Sequence, residues 1–161
     1  MRDIRSIKAA VFDLDGTLLD STAAWEGLGE RYLAGRGITP EQGLDEKLRC
    51  MALPDGSAYL KSAYSLPEPP DEILRDILRG IEEFYLAECP LKPGAQELLG
   101  LLSRRGVGIS AATAGDERLA RAALERLGVL GYFSALLTCE GYGGKDKPDI
   151  FKAALAALGN D

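Results

Sequence analysis

From residue 94 to 159 the chain repeats one pattern, a helix followed by a short apolar strand, and this alternation limits the folds open to it. "GAQELLGLLSRR" (94–105) carries Leu98, Leu99, Leu101 and Leu102 on a predicted helix, and "VGISAAT" (107–113) predicts a strand. "DERLARAALERLG" is a second helix closed by Gly128, and "FSALLTC" (133–139) a further strand. Pro148 opens a last helix that ends near Gly159. Near the N-terminus, "SIKAAVF" (6–12) is a β-branched apolar run that stops abruptly at Asp-Leu-Asp-Gly. Strands alternating with helices imply a parallel sheet with right-handed crossovers. The expected class is therefore α/β.

Residues 21–88 follow another rule and read as successive helices. Trp25, Leu28, Tyr32 and Leu33 share one stripe, and Ile73, Ile77, Ile81, Phe84 and Tyr85 share another. Breaks fall at "GRGITP" (35–40) and at "SLPEPPDE" (65–72), the second a Pro-rich stop followed by an acidic first turn. The organisation expected is a discontinuous core, 1–20 with 89–161, and a helical insertion over 21–88. No internal repeat interrupts it.

Composition narrows the partners. The 161 residues carry a net charge of −6, and the basic residues are dispersed without a Lys/Arg block, which disfavours nucleic acid. No segment approaches membrane-spanning length, and the basic N-terminus has too short an apolar run for a signal peptide. Cys50, Cys89 and Cys139 are widely spaced and lack a C-x-x-C pair, so neither a disulfide framework nor a zinc site is expected. A reducing cytoplasm fits this usage.

Parallel sheets bind ligands beyond the carboxyl ends of their strands. The first strand delivers Asp13 and Asp15 there, the second Thr113, and the loop after the third "GYGGKDKPD" with Lys145 and Lys147. Residues two apart on an extended chain point the same way, so both carboxylates can face one pocket. Two acids, a hydroxyl and a lysine suit phosphoryl transfer with a magnesium ion. One carboxylate attacks phosphorus, the metal and lysine hold the phosphate charge, and the second carboxylate exchanges protons with the leaving oxygen and with water. The chain has no histidine, so a histidine acid or base is excluded. The plainer alternatives are a strand-end turn at Gly16 for the acidic pair and a helix cap for Thr113. Arg31, Arg36, Lys47, Arg49 and Lys61 of the insertion read as solvated surface charges, one of which could serve a substrate.

"FDLDGTLLDS" resembles the first motif of the haloacid dehalogenase (HAD) superfamily, and "LKPGAQELLGLLSRRGVGISAATAGD" is similar to its second-strand region. "GGKDKPDIFKAALAALG" resembles the lysine motif of the β-phosphoglucomutase-like branch. The resemblance covers residues 6 to 159. It implies Asp13 as nucleophile and metal ligand, and Asp15 as acid/base with its backbone carbonyl also on Mg2+. Thr113 and the N–H of Ala114 would bind phosphate. Lys145, four residues before Asp149, is favoured over Lys147 for the lysine role. The insertion would be a cap closing over a small phosphorylated metabolite.

Two departures from the family pattern shape the expected function. Trp25 stands where a mutase of this branch has a histidine, and its cap arginine falls near Pro54, so hydrolysis is expected over sugar-phosphate mutation. The superfamily's fourth motif, an acidic pair on a further strand, would begin shortly after "ALAALGND". With the family's strand order 5-4-1-2-3, strands four and five are expected to be missing. The first strand then lies at an exposed edge that invites dimerisation or poor solubility. The alternative reading is a truncated, non-catalytic remnant that binds phosphate or a partner. A receiver-type phospho-acceptor domain fits less well, because receivers lack a helical insertion after strand one.

Overall fold

β-branched and small residues that can be buried on both faces build the sheet. The computed structural model describes residues 7–138 and 148–159. Strands β1 (Ala9–Phe12), β2 (Gly108–Thr113) and β3 (Ala135–Thr138) form one parallel sheet in the order β1-β2-β3. Ala9 pairs with Gly108 and Phe12 with Ala111, while Ser110 pairs with Ala135 and Thr113 with Thr138. All β2 residues after Gly108 are buried, as expected for a central parallel strand covered on both sides. Among the described strands β1 stands at one edge, and the neighbouring Ile7 is 43% exposed.

The covering helices are α6 (Ala95–Arg104), α7 (Glu117–Arg126) and α8 (Pro148–Ala156). α6 and α7 lie within two residues of their expected spans, and α8 ends three residues before Gly159. Asp116 starts α7 by accepting the Leu119 N–H at 3.1 Å, and this cap sets the direction in which the chain leaves the end of β2. Ile150 and Ala154 of α8 are buried against the sheet, and the buried Ser110 hydroxyl of β2 donates to the Ala154 carbonyl at 2.9 Å. That bond satisfies the one polar side chain inside β2 that does not belong to the site.

Contacts divide the chain into two compact units: residues up to Ser21 together with Tyr85 onward, and Thr22–Phe84 between them. The inserted unit holds α1 (Thr22–Trp25), α2 (Leu28–Ala34), α3 (Leu44–Arg49), α4 (Leu53–Tyr64) and most of α5 (Pro70–Ala87). The stripe starting at Trp25 is not one helix face. The chain breaks at Glu26–Gly27, so Tyr32 and Leu33 are buried while Trp25 is 50% exposed. The second stripe holds better, with Ile73, Ile77, Ile81 and Tyr85 all buried along α5.

Of the basic residues of the insertion, Arg31, Arg36, Lys47 and Arg49 are exposed, as expected, and Lys61 is half-buried, and each is also fastened to local partners. Arg36 stacks on the Tyr32 ring at 3.7 Å and pairs with Glu68 and Asp76. Arg31 donates to the carbonyls of Ala23, Ala24 and Glu26, and Lys61 to those of Leu66, Pro67 and Glu68. Lys47 bonds Glu41 and the Tyr59 hydroxyl. Arg49 pairs with Asp45, whose carboxyl is held below its usual range by that guanidinium and by the Gly27 N–H. Leftover carbonyls at short-helix ends and nearby acids account for the pattern, since both accept from long cationic side chains. Arg49 and Asp45 also line a cavity of about 280 Å³ inside this unit, together with Trp25, Leu48, Met51 and Leu53.

Candidate active site

At the carboxyl end of β1 the chain keeps its alternation for three more residues. Leu14 is fully buried, so Asp13 and Asp15 on either side of it turn away from the core, both half-buried. A compact loop follows at once. The Leu14 carbonyl accepts the N–H groups of Thr17, Leu18 and Leu19, and Gly16 takes the left-handed backbone (φ 73°) that this reversal needs. Leu18 and Leu19 are buried beneath it, which anchors the loop by apolar burial. The Thr17 hydroxyl donates to Asp13 Oδ2 at 3.0 Å.

The two ends of the insertion are clipped together beside this loop. The Asp20 N–H donates to the Pro90 carbonyl and the Lys92 N–H to that of Leu18, both at 2.8 Å, while Lys92 Nζ bonds Asp20 Oδ1 at 2.6 Å. The exit and re-entry segments are therefore joined to each other directly after the acidic loop.

Asp15 is held by both of its oxygens. The Tyr85 hydroxyl donates to Oδ1 at 2.6 Å, and the Thr113 hydroxyl to Oδ2 at 3.2 Å. Thr113 is fully buried at the end of β2, and its oxygen accepts the Gly115 N–H at 3.1 Å. The structure thus brings Thr113 to the acidic pair, and places its hydroxyl on Asp15. The cap of α7 is Asp116, not Thr113. Ala114 follows as an exposed residue, and a side chain on Gly115 would put its Cβ 2.9 Å from Asp15 Oδ2. Lys145 and Lys147 lie outside the described residues.

Sequence reasoning missed Tyr85 and Gly115. Helical spacing places Tyr85 in the apolar stripe of α5, which its ring obeys, being 5% exposed. The available signal was chemical: a tyrosine buried at the end of such a stripe needs a partner for its hydroxyl. Gly115 carried no signal beyond being a glycine between a strand and a helix.

Cys89 lies close by and is fully buried. Burial, reinforced by the charge of Asp15, pushes its thiol up to about 11, against an opposing pull from Arg126. It is neither a nucleophile nor a metal ligand near neutral pH. In a Cys139→Ser variant at pH 8, Cys50, which is exposed, should react promptly with a thiol reagent and Cys89 only on unfolding. Equal labelling rates in the native protein would contradict this.

A parallel sheet with an acidic pair at the end of its first strand, and a helical insertion directly after it, defines an α/β protein with a candidate site at the strand ends. The chain belongs to the haloacid dehalogenase-like hydrolases, whose family pattern matches residues 7–161. Over 146 residues it is 32% identical to a phosphoglycolate phosphatase of Agrobacterium fabrum (strain C58), covering 87% of this chain and 61% of that protein. The chain spans about three fifths of the length of the first curated relatives it matches.

Two similar solved structures carry provisional descriptions. A beta-phosphoglucomutase from Thermotoga maritima superposes with a TM-score of 0.81 at 20% identity, over 96% of this chain and 72% of that one. A HAD hydrolase from Bacillus subtilis, solved bound to magnesium, superposes with a TM-score of 0.70 at 18% identity, over 93% and 73%. These likenesses concern the fold.

Proposed function

We propose that the chain is a magnesium-dependent phosphatase acting on a small phosphorylated metabolite through an aspartyl-phosphate. The observation that carries this reading is the acidic pair itself, with Asp13 and Asp15 facing outward on either side of the buried Leu14 at the end of β1. Asp13 is the nucleophile. Its carboxylate oxygen forms the bond to phosphorus as the ester P–O bond breaks, and Asp15 gives a proton to the departing oxygen. Asp15 then takes a proton from water as that water attacks phosphorus, which releases orthophosphate and restores Asp13. The Ala114 N–H, Thr113 and Lys145 receive the phosphate, Thr113 by turning its O–H from Asp15 to a phosphate oxygen. The inserted helical unit serves as the cap.

The donor chemistry fits magnesium. The chain has no histidine and the Cys89 thiol stays protonated, so the donors left at this strand end are oxygens, the class a hard cation selects. The Asp13 carboxylate and the Asp15 backbone carbonyl would hold the ion. Bound there, it supplies positive charge against the phosphate and neutralises Asp13 toward the incoming anion.

The relative that hydrolyses phosphoglycolate supports a small phosphate ester as substrate, and the magnesium-bound neighbour supports the metal. Among the described residues no helix is long and apolar enough to cross a membrane. A cytoplasmic location and self-association along the outer edge of β1 complete the proposal. The test is hydrolysis of p-nitrophenyl phosphate with magnesium and after chelation. Turnover should fall at least about tenfold on chelation and return on adding magnesium back. Metal-independent turnover, or none in folded protein, overturns the reading.

A further inference from the structure

We infer that Tyr85 is the positioning residue of Asp15, that Arg126 seats Tyr85, and that Asp15 Oδ2 is thereby selected as the proton-exchanging oxygen. This rests on the proposed role of Asp15 as acid and base. The two hydroxyl contacts to Asp15 are unequal. The Tyr85 bond to Oδ1 is 2.6 Å, in the short range of O–H···O⁻ bonds, whereas the Thr113 bond to Oδ2 is 3.2 Å. Thr113 also has other engagements, accepting the Gly115 N–H through the same oxygen. Oδ2 is therefore the oxygen whose bond is given up at least cost, and Oδ1 stays fixed.

Tyr85 can fix it because the phenol ring is itself immobile. It is buried, and it sits in the last turn of α5, whose end has carbonyls without helical partners. Arg126 of α7 donates its guanidinium to two carbonyls of this end, those of Tyr85 and Cys89. A cation on the carboxyl end of a helix is favourable electrostatically, and here it ties the tyrosine backbone to the element that begins just after Thr113. The line Arg126, Tyr85, Asp15 thus joins α7, α5 and the β1 loop through hydrogen bonds alone. Tyr85 exchanges no proton with substrate and acts only through Asp15.

The prediction separates positioning from mere packing. Tyr85→Phe keeps the ring and removes the hydroxyl. p-Nitrophenyl phosphate has a good leaving group that needs little protonation, while an alkyl phosphate such as β-glycerol phosphate needs a full proton from the acid. In the full chain with magnesium, Tyr85→Phe should lower kcat for the alkyl ester about tenfold more than for the nitrophenyl ester, with KM for both within about twofold of wild type. Arg126→Gln should give the same pattern more weakly, and the thermal midpoint of Tyr85→Phe should stay close to wild type. Equal losses on both esters, or none on either, overturn the inference while leaving the phosphatase reading intact.

If the wild-type chain hydrolyses neither ester, the phosphatase reading falls and the contact is judged by proton NMR. A hydroxyl proton donated in a short bond to a carboxylate resonates far downfield and exchanges slowly. Its presence in wild type, with loss in both Tyr85→Phe and Asp15→Asn, supports positioning of Asp15 by Tyr85; its absence in wild type overturns it.

Discussion

Asp13→Asn should lose at least about 10³-fold in kcat toward any phosphate ester the chain hydrolyses, because an amide oxygen cannot form the phosphoenzyme bond. The fold should survive. Asp13 is half-buried at the sheet's carboxyl end, and the Thr17 hydroxyl donates to its Oδ2 at 3.0 Å, a bond that an amide oxygen also accepts. Thermal unfolding should therefore stay within a few degrees of wild type. A second signature is chemical: rapid acid quench of the wild type with labelled substrate should leave phosphate on protein, sensitive to hydroxylamine, and the variant should leave none. Retention of more than a tenth of the activity by a folded Asp13→Asn would remove Asp13 as nucleophile. Of the single changes considered, this has the largest expected effect: Cys89 is buried with its thiol pushed up to about 11, and Asp15 is held through both of its oxygens by the hydroxyls of Tyr85 and Thr113, which leaves Asp13 as the attacking group of the proposed reaction.

Asp13 and Asp15 can be read from the sequence because their relation is local. A strand alternates its side chains, so two acids two residues apart at a strand end must share a side, and the buried Leu14 between them is the same rule seen from the core. Thr113 is legible for a similar reason, since parallel strands bring their carboxyl ends together. What alternation leaves open is which atoms then meet. The hydroxyl of Thr113 lies on Asp15 because β1 pairs with β2 in the register Phe12 with Ala111, and that register is fixed by long-range packing. Tyr85 is hidden for the same cause. It is 70 residues from Asp15 in the chain, and helical periodicity places its ring in the core without saying where the hydroxyl points. The insertion is the least legible part. The stripe from Trp25 to Leu33 has helical spacing, yet the chain breaks at Gly27, and a count of apolar residues does not register the break.

Gly115→Ala should damage catalysis more than stability, and it tests whether the position of Asp15 matters as much as its charge. The added Cβ would lie 2.9 Å from Asp15 Oδ2 and 3.4 Å from Thr113 Oγ1. Neither neighbour is a free end that can swing aside. Asp15 is tied through Oδ1 to Tyr85, and Thr113 is fully buried in the central strand. Relief therefore requires either that Oδ2 leave the Thr113 hydroxyl, or that the Gly115 backbone retreat and give up its 3.1 Å bond to Thr113. The first route moves the acid/base by a few tenths of an ångström and the second loosens the Thr113 hydroxyl that contacts it, whereas a full displacement of about 1 Å can cost about 10²-fold in rate. Overpacking of this kind typically costs about 1–3 kcal/mol, which a folded domain usually tolerates. The expected result is a kcat about tenfold below wild type, with KM little changed and a folded thermal transition. Gly131→Ala is the matched control, because a Cβ there meets nothing within 4 Å, and it should leave turnover unchanged. If Gly115→Ala instead keeps kcat within about twofold of wild type, the close approach of backbone to Asp15 has no catalytic meaning. The arrangement of Tyr85 and Thr113 around that carboxylate would then have to be explained by folding alone.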